Sequence, residues 1–96
     1  MKTIQFEWDE NKNTSNKKKH GISFEEAQTV FYDEEALVRD DPDHSEDEDR
    51  FLILGFSYAA NMLVVSHCCR GKDEIIRIIS ARKATRTETS QYNERL

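Results

Sequence analysis

The chain has 96 residues, 36% of them hydrophobic and 34% charged, enough for one core and too few for a large multistep enzyme, so a single domain over residues 1–96 is expected. No apolar run approaches the ~20 residues that a membrane span needs, and the N-terminal MKTIQFEWDE has no signal-peptide core, which points to a cytoplasmic protein without a membrane partner. The net charge of -5 argues against nucleic acid until its distribution is read: residues 33–49 hold ten acidic side chains and one arginine, leaving +4 on the rest of the chain.

In chain order, Thr3–Glu7 alternates with Ile4 and Phe6 on one face and predicts a short first strand. Trp8 ends it and is placed to anchor the first helix to the core. Asp9 is an N-cap for that polar helix, Lys17, Lys18 and Lys19 suit its C-terminal end, and Gly21 stops it. Ser23 and Glu26 form the S-x-x-E pattern of a second helix start, with Phe24, Ala27, Val30 and Phe31 facing a core. Ala36–Arg39 reads as a short strand before the acidic loop, where Pro42 breaks regular structure.

Arg50–Tyr58, Met62–Cys69 and Glu74–Ala81 are three further strands, linked by turns at Asn61 and at Gly71–Asp73. Such short links imply an antiparallel meander. The polar C-terminal stretch places Ala84, Glu88 and Tyr92 four residues apart, as on a helix. The fold class is α+β: an antiparallel sheet of about 3–5 strands, two N-terminal helices and one C-terminal helix.

The last strand carries the chemistry. Ile75, Ile76, Ile78 and Ile79 are interrupted by Arg77 and followed by Arg82 and Arg86. An arginine keeps its proton, so its place on a sheet needs an anion or a carboxylate to offset desolvation. A hairpin centred on Lys72 sets His67 opposite Arg77 on one face, with Ile75, Ile79 and Ala81, whereas a one-residue shift separates the two. Metal-free RNA cleavage needs a proton acceptor, cations for the phosphorane and a proton donor. His67, Arg70, Arg77, Arg82 and Tyr92 supply such groups. The plainer readings are a strand histidine, an arginine paired with Asp73 or Glu74, helix-surface charges and a packing tyrosine. Cys68 and Cys69 are adjacent in a strand, so neither an ordinary disulfide between them nor a cysteine metal site is expected, and His44 has no second ligand at metal-binding spacing. No glycine-rich phosphate loop calls for a cofactor.

The segments FEWDENKNTSNKKKHGISFEEAQTVF, DPDHSEDEDRFLILG and LVVSHCCRGKDEIIRIISARKATRTETSQY together resemble the BrnT-type toxins in order and spacing, from Phe6 to about Tyr92. The resemblance implies a RelE-like fold and the toxin half of a type II toxin–antitoxin pair. It implies cleavage of RNA that inhibits translation, and neutralisation by a BrnA-type antitoxin through which alone the toxin meets operator DNA. On the motif positions it implies a catalytic set of His67, Arg70, Arg77, Arg82 and Tyr92. Lys19 and His20 of K-H-G join Arg50 and Arg86 as RNA-binding candidates. No metal and no cofactor are called for. Phe56, Tyr58 and Met62 around the first hairpin are candidate apolar anchors for the antitoxin. The alternative is a non-catalytic RNA- or protein-binding module, a degenerate toxin.

Overall fold

A computed structural model describes residues 4–42, 50–71 and 75–95. Five strands form one sheet: β1 (Gln5–Glu7), β2 (Leu37–Asp40), β3 (Arg50–Phe56), β4 (Met62–Arg70) and β5 (Ile75–Lys83), in the order β1-β5-β4-β3-β2. The meander β2 to β5 is antiparallel as expected, whereas β1 lies parallel to β5, pairing Gln5 with Ile75 and Glu7 with Arg77. The chain between these parallel partners runs through the N-terminal helices and then β2, β3 and β4, so no tight turn has to join them. The resulting sheet is mixed. His44, most of the acidic loop, Lys72, Asp73 and Glu74 lie outside the described residues.

Local signals set the helices. The Asp9 carboxylate accepts from the backbone N–H of Asn11 at 2.8 Å and of Lys12 at 3.4 Å, opening α1 (Glu10–His20). Gly21 closes it at φ 72°, where a side chain is disfavoured, and donates its N–H to Lys17 O at 2.9 Å. Ser23 Oγ accepts from Glu26 N–H at 3.0 Å and starts α2 (Phe24–Ala27), which continues as a 3-10 turn over Gln28–Tyr32. The Glu26 carboxylate of this capping pair reaches the β3–β4 turn, accepting from Ser57 Oγ at 2.6 Å and Asn61 Nδ2 at 2.8 Å.

These helices cover one sheet face, burying Ile22, Phe24, Ala27 and Val30 against Ile53, Leu63, Val65, Ile78 and Ala81, with Trp8 packed alongside. Strand β1 runs beside β5 only as far as Arg77. Beyond it α1 takes over, and it does so with polar groups. Asn16 Nδ2 donates to Ile22 O (2.9 Å) and to Ala81 O (2.8 Å), while its Oδ1 accepts from Ala81 N–H (3.1 Å). Asn13 is also buried, bonding Glu10, Glu25 and the Phe24 N–H. A helix without an apolar stripe is thereby fixed to the body of the protein.

The other face carries α3 (Arg86–Arg95) over one end only, where Tyr92 packs with Leu54 and Val64 and is flanked by Leu37, Leu52, Met62 and Ala84.

Candidate nucleic-acid interface

One irregularity in β5 decides which side chains share a face. From the β4–β5 turn the pairs run Arg70–Ile75, Cys69–Ile76, Cys68–Arg77 and His67–Ile78, then jump to Ser66–Ser80. Ile79 is the extra residue of a bulge. Two expectations change. The hairpin register is one residue off the Lys72-centred alignment, so His67 and Arg77 lie on opposite faces. The bulge also reverses the alternation, which sends Ala81 into the core with Ile78 and brings Arg82 to the face of Arg77. Arg50 pairs with Cys68, so Arg50, Cys68 and Arg77 form a row across β3, β4 and β5, with Arg70 beyond.

That row borders a cleft of about 390 Å³ lined by Lys12, Arg50, Cys68, Cys69, Arg70, Arg77 and Ile79. Of the seven lining residues among those described, four are cations and none is acidic. Glu7 on β1 supplies the counter-charge: its Oε2 accepts from Arg77 Nη1 at 2.8 Å and from Arg70 Nη1 at 3.0 Å. The hydrogen bond from Arg77, helped by the charges of Arg70 and Arg77, holds the Glu7 carboxyl below the usual range. This carboxylate, brought to β5 by the parallel pairing, is the partner that an arginine on a sheet requires. Asp73 and Glu74, the partners expected from the sequence, lie outside the described residues.

The other expected site residues lie elsewhere. His67 is 4% exposed on the helix-covered face, its ring against Phe31 at 4.7 Å and near Phe51 at 6.0 Å. Burial lowers its pKa, only partly countered by the Val65 carbonyl 3.2 Å from Nδ1, and its face of the sheet is not the one that lines the cleft. Arg82 forms a two-pronged pair with Glu88, Nη1 to Oε1 at 2.8 Å and Nη2 to Oε2 at 2.9 Å. Tyr92 is buried at the α3 end, donates its hydroxyl to Asp33 Oδ2 at 2.8 Å and meets the Phe56 ring at 5.4 Å. The expected set of five thus divides: Arg70 and Arg77 share the cleft, Arg82 and Tyr92 belong to the α3 end, and His67 belongs to the core.

Of the RNA-binding candidates, Arg50 lines the cleft. Lys19 and His20 line a neighbouring groove of about 320 Å³ with Asn11, Lys12, Ser15, Asn16, Ile79 and Ser80. Arg86 is exposed at the start of α3. Lys12 and Glu7 were missed in the sequence. Lys12 stands in a polar helix with several equivalent lysines, and Glu7 needs the β1–β5 pairing to reach its partners. Of the apolar anchors, Phe56 and Tyr58 are 43% and 78% exposed, whereas Met62 is half-buried in the α3 cluster.

Among the described residues no helix is long and apolar enough to cross a membrane. No group of three His, Cys, Asp or Glu side chains among them is placed to hold a metal ion.

The arrangement is suited to a polyanion: guanidinium forks on a rigid sheet, with a lysine approaching from a fixed helix. Comparison with known proteins agrees. No curated protein matches the chain. The 1.1 Å crystal structure of the Brucella abortus ribonuclease toxin BrnT is similar to it, with a TM-score of 0.67 and 26% identity, covering 88% of this chain and 100% of that one. The family described as "Ribonuclease toxin, BrnT, of type II toxin-antitoxin system" matches residues 8–88, well over half of the sequence, and the chain belongs to that family.

Proposed function

We propose that this toxin cuts RNA in the cleft formed by Arg50, Arg70, Arg77 and Lys12, that it does so without a metal ion, and that the cleavage inhibits translation in the cytoplasm. The observation that carries the reading is the lining itself: among the described residues, four cations and no acidic side chain line the cleft, in a chain with a net charge of -5. A ribose 2′-hydroxyl gives its proton to solvent as its oxygen attacks the adjacent phosphorus, and the 5′-oxygen leaves as the P–O bond breaks, taking a proton from solvent, which gives a 2′,3′-cyclic phosphate and a 5′-hydroxyl. The negative charge on the phosphorane oxygens grows as the bond forms. Arg77 and Arg70 present N–H donors that are fixed before the reaction, which is where electrostatic stabilisation is most effective. His67, on the opposite face, has no place in this scheme.

A type II family implies an antitoxin protein as partner. That this partner is of the BrnA type, and that operator DNA is met only through it, are part of the proposal.

The test is cleavage of labelled RNA by purified protein with a chelator present, wild type beside Arg77→Ala and Arg77→Lys. Wild type cleaves, and Arg77→Ala loses about 10²–10³-fold in kcat, the scale for removing one transition-state donor. Arg77→Lys regains only part, because an ammonium lacks the fork. A folded Arg77→Ala that cleaves at the wild-type rate refutes the assignment. The second reading, a module that binds RNA without cutting it, draws on the removal of His67 from the cleft. Tight binding without cleavage by the wild type favours it.

A further inference from the structure

We propose that the groove along α1 is a subsite for the nucleotide flanking the scissile phosphate, so that the substrate runs as a single strand from the arginine cleft onto the helix. The proposal rests on the nuclease reading of the first cleft and extends it. Three observations carry it.

The two depressions are contiguous. Lys12 and Ile79 line both, so a strand leaving the arginines continues past Lys12 into the second groove. Among the described residues the second groove also has no acidic lining: Lys12 and Lys19 stand among Asn11, Ser15, Asn16, His20 and Ser80. Lys12 and Lys19 stand seven residues apart on α1, two turns or ~10.5 Å along one side. Both are exposed, and among the described residues neither is held in an ion pair. Their charges are therefore available to backbone phosphates. Asn11, Ser15 and Ser80 offer donors and acceptors for base edges, and the bulged Ile79 gives an apolar shelf between the two depressions.

The wall is rigid as well. A polar helix held only by surface charge would shift as a strand bound. Here Asn16 clamps α1 to Ala81 and Ile22, and Asn13 clamps it to Phe24 N–H. The lysines keep a fixed offset from the arginine row, as a subsite requires. Base edges that are to be read by such side chains must be unpaired, which makes a single strand the fitting ligand.

The experiment measures binding of 2′-O-methyl RNA, which lacks the attacking hydroxyl, by fluorescence anisotropy across a salt series. A dinucleotide is compared with a tetranucleotide, on wild type, Lys19→Gln and Ser15→Glu. Both variants change exposed positions on α1, and circular dichroism checks their fold. On wild type the tetranucleotide shows the steeper fall of log K with log salt. Lys19→Gln lowers that slope by about 0.7, one single-strand phosphate contact, and affects the dinucleotide less. Ser15→Glu weakens the tetranucleotide more than the dinucleotide. Equal slopes for the two lengths, or equal losses in the variants, overturn the subsite. The nuclease reading fails separately: a wild type that cleaves no RNA yet keeps the length-dependent slope leaves the groove standing and removes the chemistry.

Discussion

Loss of Asn16 has the most calculable effect on stability. Its amide makes three hydrogen bonds of 2.8–3.1 Å to backbone groups that have no other described use: Ile22 O, Ala81 O and Ala81 N–H. Asn16→Ala leaves one donor and two acceptors at a site where the native side chain is 7% exposed. A net hydrogen bond is worth ~1 kcal/mol, and an abandoned buried partner costs ~1–3 kcal/mol. Because Asn16 borders the α1 groove, water reaches part of the site and relieves the upper end. The expected loss is ~3–4 kcal/mol, a large share of the ~5–15 kcal/mol that holds a small domain together.

Urea unfolding of the purified Asn16→Ala protein beside the wild type measures it as a lower midpoint with an unchanged slope. A sharper variant is Asn16→Asp, which keeps the shape but turns an acceptor toward two carbonyls. That carboxyl has a folded pKa raised above its unfolded value, so the variant is most stable below the unfolded pKa and loses stability as pH rises through the folded one. A fall of less than ~1 kcal/mol for Asn16→Ala, or no pH dependence for Asn16→Asp, would refute the claim that polar clamps dock α1.

The charged pairs yield two more expected outcomes. The Arg82 hydrogen bonds hold the Glu88 carboxyl down at about 2, so its folded pKa is depressed and its stabilisation is present above the unfolded value of 4.5 and lost as pH falls toward 2. With the Arg82 side chain 40% exposed, solvent screening reduces the worth to ~1 kcal/mol. Glu88→Gln loses that amount at neutral pH and little near pH 2, by urea midpoints at each pH. Glu7 competes with phosphate for Arg70 and Arg77, so Glu7→Gln binds 2′-O-methyl RNA more tightly and with a steeper salt dependence. Weaker binding would mean that Glu7 chiefly positions the two arginines.

Elements set by neighbours in sequence were legible. The Asp9 cap, the Gly21 stop and the Ser23 start stand where short-range hydrogen bonding puts them, and the meander arises from apolar runs joined by short turns. What depends on distant pairing was not. Strand alternation gives each residue a face only while the register is unbroken, and the Ile79 bulge reverses the parity between Arg77 and Arg82. The same limit hid Glu7, which meets the arginines only because β1 adds to the far edge in parallel. His67 reads as a reactive imidazole in a motif, yet the Phe31 and Phe51 rings that enclose it come from the 3-10 turn and β3. The position of α1 was the least legible, since buried asparagines in a lysine-rich helix look in sequence like any solvated surface.

The Asn16 clamp also guards the sheet. Past Arg77 the outer side of β5 has lost its neighbour, and a bare strand border invites another chain to zip onto it. The Asn16 amide meets the Ala81 N–H and C=O much as a further strand would, blocking that border with a side chain. An intruding polypeptide that extends this sheet is therefore left the outer borders of β1 and β2, the two edge strands. One amide side chain thus closes β5 to a second chain at Ala81.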